Sequence, residues 1–224
     1  MITIHKHIIQ GTDEWLQIRR GMLTASAIKN VITPSKLQFS KADKAKQHVY
    51  QVVADRVTDF VEEGYTNDDM MRGHFDEVIA RQIYNDEYDE VDEVGFITNT
   101  DLGFPVGCSP DGLVGDDGMI EIKSRKAKYQ VQTVLAGGIP KDYMLQVQTA
   151  LMVSGRSWCD FISYCGGMPL YVYRVEPDNE IIDAIATAAE EFEEMVTDLV
   201  GQYTLKSAGL IKTERIEEEM QFHE

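Results

Sequence analysis

Asp111, Glu121 and Lys123 carry the side chains that could do chemistry together, in Cys108-Ser109-Pro110-Asp111-Gly112 and Glu121-Ile122-Lys123. Gly115-Asp116-Asp117-Gly118 between them is a turn of the kind that joins paired strands. Residues 106–109 and 113–114 therefore read as extended, with 119–123 returning antiparallel. Side chains alternate along a strand at about 3.3 Å per residue, so Glu121 and Lys123 share one face and Ile120 and Ile122 the other. A two-residue turn at Asp116 and Asp117 sets Gly112 opposite Glu121, and a three-residue turn shifts this by about one. Either register clusters Asp111, Glu121 and Lys123. Two carboxylates this close repel unless a proton or cation sits between them, and hard oxygen ligands suit magnesium or manganese. A metal-bound water beside an ammonium is equipment for hydrolysing a phosphodiester. The competing reading is an ordinary hairpin with a surface Glu and Lys, since so short a pattern often arises by chance.

The elements around this hairpin must position it. Thr12-Asp13-Glu14-Trp15 opens like a capped helix that Gly21 can end, leaving Arg19 and Arg20 in the last turn. Thr24-Ala25-Ser26 reads as the start of a second helix to about Ile32, with Ile28, Val31 and Ile32 buried and an anion-binding N-terminal corner. Helical spacing of Val49, Val52, Val53, Val57 and Phe60 predicts a core helix over 43–63, stopped by Gly64. Asn67 and Asp68 can cap the next helix, whose apolar side is Met71, Phe75, Val78, Ile79 and Ile83. Met70, Gly73, Glu77, Arg81 and Tyr84 trace the adjacent stripe. Gly73 costs about 1 kcal/mol against Ala in a helix interior, which suggests room beside Glu77 for a metal or a substrate backbone. After the acidic stretch 86–93, residues 94–98 read as a strand, turning at 101–103 into 104–109. Helices follow at 128–135 and 142–153. A hairpin of 158–164 and 170–175 turns at Gly166-Gly167, and a long helix runs from Asp178 to about Tyr203.

The hairpin motif, Ser-Pro-Asp-Gly followed by Glu-Ile-Lys, resembles the PD-(D/E)xK nucleases. The segment QGTDEWLQIRRGMLTASAIKNVI, residues 10–32, resembles the lambda exonuclease family of YqaJ-like viral recombinase nucleases through W-x-x-x-R…G-x-x-T-A-S. That pattern is far more specific than Glu-x-Lys. The resemblance spans roughly residues 10–175 in four ordered blocks. It implies that Arg19, Ser26 and Ser109 hold a 5′-terminal phosphate. It makes Glu77, in the G-x-x-x-E form of R-G-H-F-D-E, an additional metal ligand, with Asp76 the rival register. Met70 takes the place of an apolar wedge between the terminal bases, with an ordinary core methionine as the alternative. Gln146, in Y-M-x-Q-V-Q, is placed near the attacking water or the lysine. The implied roles are Asp111 on two metal ions, Glu121 and the Ile122 carbonyl on one of them, Glu77 on the other, and Lys123 with Gln146 orienting water.

At 224 residues the chain suits a single domain, 1–205, followed by a charged tail, 206–224. No apolar run approaches the roughly 20 residues that span a bilayer, so a membrane role is not expected. Cys108, Cys159 and Cys165 form no CxxC pair, which speaks against a disulfide framework, a zinc site or a Cas4-like iron–sulfur centre and for a reducing cytoplasm. The net charge of −17 opposes nucleic-acid binding on average. Its distribution does not: between Trp15 and Tyr50 seven basic residues face one acidic residue, and Lys123, Arg125, Lys126 and Lys128 form a second cluster. A basic channel on an acidic body would confine binding to one groove.

The fold class expected from the resemblance is α/β, a restriction-endonuclease-like core with a mixed central sheet flanked by helices. The implied activity is 5′-to-3′ digestion of duplex DNA with Mg²⁺, two ions per site and Mn²⁺ as a substitute. It would favour 5′-phosphorylated ends, release mononucleotides and leave 3′ single strands. The resemblance also implies a homotrimeric ring, a single-strand annealing protein as partner, and a phage or mobile-element origin in a bacterial cytoplasm. The rivals are a structure-specific or restriction-type endonuclease, which would cut closed circles, and a noncatalytic end-binding module, for which the acidic site should be broken.

Overall fold

The computed structural model describes residues 1–61 and 68–215, with the side chains of 68–70 left outside. In chain order the elements are β1 (Ile2–His5), α1 (Asp13–Arg19), β2 (Leu23–Thr24), a 3-10 turn (Ala25–Ala27) and α2 (Ile28–Val31). Then come β3 (Ile32–Thr33), β4 (Gln38–Phe39), α3 (Asp43–Thr58), α4 (Asp68–Glu87), β5 (Val91–Asp92), β6 (Phe96–Asn99) and β7 (Val106–Cys108). The chain closes with β8 (Gly112–Val114), β9 (Gly118–Ser124), α5 (Ala127–Ala136), α6 (Lys141–Ser154), β10 (Trp158–Tyr164), β11 (Tyr171–Val175) and α7 (Asn179–Ser207). This is the mixed α/β class expected, with the strands divided between two mixed sheets and a small β3–β4 hairpin. One sheet runs β1-β6-β7-β2, with β1 at its edge and β2 parallel to β7. The other runs β11-β10-β9-β8-β5, with β10 parallel to β9. The chain crosses from the first sheet to the second through Ser109-Pro110-Asp111.

Strand β9 is the hinge of the arrangement because its two faces have different neighbours. Ile120 and Ile122 pack with Ala80 and Tyr84 of α4 and Ile162 of β10. Met119 packs on the opposite side against Val147, Leu151 and Phe161, which places α6 over the face that carries Glu121. The alternation that a strand imposes thus decides which side chains meet the site and which meet the core. Pairing of Gly112 with Ile120 and Val114 with Gly118 fixes a three-residue turn, Gly115 to Asp117, the second of the two registers expected. Gly115 takes the left-handed conformation the turn needs, φ +52°. Gly112 is required for packing: a Cβ there would lie 2.1 Å from Val91 Cγ1 on the neighbouring β5.

Four expectations are corrected. The helix expected over 43–63 ends at Thr58, because Asp59 adopts φ +57° and turns the chain; Gly64 and the Asn67 cap lie outside the described residues. The apolar side assigned to α4 is largely solvent-facing: Met71, Phe75 and Val78 are 57%, 68% and 61% exposed. The adjacent stripe with Ala80 and Tyr84 is the buried one. The Thr24–Ile32 helix is instead a two-residue strand, a 3-10 turn and four helical residues, with no side-chain cap from Thr24. The long terminal helix reaches Ser207, about a turn past its expected end near Tyr203. Among the described residues, no helix is long and apolar enough to cross a membrane.

Candidate active site

Asp111 sits where the first sheet hands over to the second, and the ladder between β8 and β9 extends through it. Its amide donates to the Ile120 carbonyl at 3.2 Å, and its Oδ2 accepts from the Ile122 amide at 2.5 Å. The Asp111 carbonyl accepts from Arg81 Nε of α4 at 2.8 Å, and the Pro110 carbonyl from Gln10 Nε2 at 2.9 Å. Side chain and both backbone groups are therefore fixed before any ligand arrives. Glu121, 2% exposed, accepts from Gln146 Nε2 at 2.6 Å on the same oxygen, Oε1, that pairs with the Lys123 ammonium. Glu77 Oε1 accepts from Arg81 Nη2 at 2.7 Å, and Arg81 Nη1 pairs with Glu93 at 2.8 Å. One arginine, unassigned in the sequence reading, thus ties α4 to the Asp111 backbone.

The four ionisable groups feel one another. Burial pushes the Asp111 carboxyl up to about 7, with Glu77 adding to the rise. Burial lifts Glu121 to about 7 as well, against the pull of Lys123. Glu77 is raised by burial, partly offset by Arg81. For Lys123 burial works against the charge, but Glu121 and Asp111 outweigh it and the ammonium holds its proton more firmly than usual. Asp76, the rival to Glu77, accepts from Ser124 Oγ at 2.5 Å. Gly73, one turn before Glu77, would place a Cβ with no described residue within 4 Å, so none of the described residues demands glycine there.

These donors fit a hard divalent cation, being all oxygen and two of them buried carboxylates that burial pushes towards their neutral forms. Asp111 Oδ1 and Glu121 Oε2 carry no hydrogen bond from a described residue, so each carboxylate keeps an oxygen for a ligand. Among the described residues, no three His, Cys, Asp or Glu side chains converge into one metal-holding group. Glu77 is drawn aside by Arg81, and the Ile122 amide is occupied by Asp111.

A second polar corner lies beside the first. Arg19 stacks over the Trp15 ring at 3.8 Å and donates from Nη2 to Ser26 Oγ at 3.4 Å. Trp15 Nε1 donates to Ser109 Oγ at 2.8 Å, and Thr24 Oγ1 lies 3.3 Å from Ser26 Oγ. Burial lowers the Arg19 guanidinium to about 10, and among the described residues no carboxylate pairs with it. A partly desolvated arginine without a counter-ion calls for an anion. The corner opens on a cavity of about 360 Å³ that Arg19, Ser26, Asn30 and His48 help to line. The corner stands at the start of the 3-10 turn Ala25–Ala27, in place of the α-helix expected at Thr24.

The structure therefore brings Asp111, Glu121, Ile122, Lys123 and Gln146 together, sets Glu77 beside them through Arg81, and gathers Arg19, Ser26 and Ser109 around Trp15. Met70 has a side chain outside the described residues. The sequence reading left Trp15, Arg81 and Tyr143 without roles. Trp15 stands in the W-x-x-x-R pattern and Tyr143 in Y-M-x-Q-V-Q, so the motifs held the signal; Arg81 was marked only by its place on the Glu77 stripe.

Comparison with known proteins covers both corners. The family model for the YqaJ-like viral recombinase domain matches residues 14–157. The chain is similar to an alkaline exonuclease, LHK-Exo, from Laribacter hongkongensis: 33% identity, 89% of this chain, 100% of that one, TM-score 0.79. The same figures hold for that protein's structure in complex with dAMP. A phage related exonuclease from Haemophilus somnus 129PT, at 15% identity and TM-score 0.57 over 81% of this chain and 96% of that one, shares the fold. No curated protein matches the chain.

Proposed function

The chain belongs to the YqaJ-like viral recombinase family, and on that premise we propose that it is a DNA exonuclease that digests duplex DNA from the 5′ end. It favours a 5′-phosphate, releases mononucleotides and leaves a 3′ single strand for annealing. The observation that carries this reading is the shared segment Ser109-Pro110-Asp111. Ser109 belongs to the corner where Arg19 lacks a counter-ion, and Asp111 belongs to the carboxylate site two residues on. Their Cα atoms are at most about 7.6 Å apart. A strand terminus seated at the first corner thus presents a nearby phosphodiester to the second, the geometry of an enzyme that reads an end.

Asp111, Glu121, the Ile122 carbonyl and Glu77 are the groups to hold divalent metal, two Mg²⁺ ions with Mn²⁺ as a substitute. Bound there, the metal supplies charge neutralisation and an acidified water. The protein's own part is positional and electrostatic. Gln146 holds Glu121 Oε1, and the Lys123 ammonium, kept protonated by Glu121 and Asp111, stands ready to orient water and to donate to the developing oxyanion. The working unit is a homotrimeric ring acting with a single-strand annealing protein, encoded by a phage or mobile element and active in a bacterial cytoplasm. The test is mononucleotide release from linear duplex by wild type and Lys123→Ala, in Mg²⁺ and in EDTA. Release confined to wild type with Mg²⁺ is expected. Internal cuts in closed circular DNA, or end binding without release, would overturn the reading.

A further inference from the structure

Arg125 is a cation whose situation the site described so far does not explain. It lies two positions past Lys123, and its amide continues the β9 ladder by donating to the Tyr164 carbonyl at 2.7 Å. Strand alternation therefore sets it on the face of Glu121 and Lys123, about 6.6 Å further along. Its guanidinium rests against two rings, Tyr129 at 5.2 Å and Tyr143 at 5.3 Å, and Nη1 donates to the Tyr143 hydroxyl at 2.8 Å. Tyr143 stacks on the buried Phe161 and also lies under the Lys123 ammonium, 5.7 Å from its ring centre. One tyrosine of α6 thus aligns Lys123 and Arg125. Yet Arg125 Nε is buried without a hydrogen-bond partner, and no carboxylate pairs with this arginine among the described residues.

That is informative in a chain of net charge −17, in which Arg20, Arg56, Arg72, Arg81 and Arg174 all reach a carboxylate. The protein leaves this guanidinium under-satisfied; Nε itself is closed off, but the residue is only partly buried and Nη2 has no partner among the described residues, so an acceptor arriving from outside would meet that edge. Lys128, 4.7 Å over the same Tyr129 ring, adds a second cation next to it. We infer that Arg125 binds a backbone phosphate of the DNA strand being digested, one step along the strand from the phosphate at Lys123, with Tyr129 and Tyr143 holding the guanidinium in place. This deepens the exonuclease reading and rests on it for the identity of the strand.

The test measures binding of a 5′-phosphorylated duplex by fluorescence anisotropy over a range of salt concentrations in EDTA, so that it does not depend on turnover. Each phosphate contact contributes about 0.9 to the slope of log K against log salt on duplex, and about 0.7 on a single strand. Arg125→Gln and Arg125→Ala should lower the slope by about that amount and weaken binding roughly ten-fold. Arg125→Lys, which keeps the point charge, should hold the slope. Tyr143→Phe, which keeps the ring but removes the hydroxyl, should weaken binding less than Arg125→Gln does. A wild-type slope in Arg125→Gln would overturn the inference. So would a fall in turnover with unchanged binding, which would make Arg125 a prop for Lys123 only. If wild type binds ends but releases no nucleotides, the exonuclease reading fails while the slope comparison still decides Arg125.

Discussion

Lys123 keeps its proton in a pocket whose burial should strip it, because two carboxylates outweigh desolvation. The carboxylates are disturbed in the opposite sense. Asp111 and Glu121 are each raised to about 7, above the ordinary carboxylate range, because burial disfavours their charged forms. The sign follows from linkage. Between about pH 4 and 7 the unfolded chain has already released these protons and the folded chain has not, so this pair lowers stability as pH rises through that interval. Asp111→Asn removes one charge. In cation-free buffer it should melt no higher than wild type at pH 5 and clearly higher at pH 8; an unchanged difference would show that Asp111 is not under strain. In turnover, Lys123→Ala should lose at least about 10²–10³-fold, the scale of one removed oxyanion donor. Arg19→Ala should lose about 10- to 100-fold on 5′-phosphorylated ends and little on 5′-hydroxyl ends. An equal loss on both would place Arg19 outside the phosphate corner. The motif residues were legible because their spacing fixes them on one strand face. Arg125, Tyr143 and Arg81 were not, because their roles depend on partners 18 to 30 positions away in sequence.

Strand and helix placement shows where periodicity carries and where it fails. Strands 9 and 10 and the helix behind them follow their sequence patterns, since each has one buried face and clear turn residues at its ends. Helix α4 does not: Met71, Phe75 and Val78 make the better apolar stripe on paper, yet the helix buries the side with Ala80 and Tyr84. The buried hydroxyl of Tyr84 explains the choice, donating to Asp160 at 2.7 Å while Arg174 holds the same carboxylate at 2.8 and 2.9 Å. That face joins a satisfied polar network to packing against Ile120, Ile122 and Ile162, partners that composition cannot reveal. The turn length between β8 and β9 was likewise open until Val114 paired with Gly118. Gly112 gives a prediction at this scale. Gly112→Ala drives a Cβ into Val91 and should cost about 1–3 kcal/mol by overpacking, or roughly 2–12 °C in melting temperature for a chain of this size. Val91→Ala in the same chain should recover part of that loss. No recovery would mean that Gly112 serves the backbone and not the β5 contact.

Taken whole, the protein is an acidic body of net charge −17. Arg20, Arg56, Arg72, Arg81 and Arg174 each reach a carboxylate, Arg156 is held by the carbonyls of Val114, Gly115 and Gly118 and Arg215 lies over the Phe60 ring, whereas Arg19 and Arg125 stand beside the candidate site without a described carboxylate partner. If the proposed activity holds, Arg19 and Arg125 would draw a DNA strand towards Asp111. Light scattering should give about three times 25.3 kDa if the ring forms, and a monomer mass would contradict it. The central claim is that the phosphate corner and the carboxylate site act on one strand end. It is met most directly with a linear duplex that carries a 5′-phosphate at one end only, labelled in both strands and digested in Mg²⁺. Mononucleotides released in order from the phosphorylated 5′ end, with the complementary strand intact, are the result predicted. Equal release from both ends, release from 3′ ends, or fragments cut internally would contradict it.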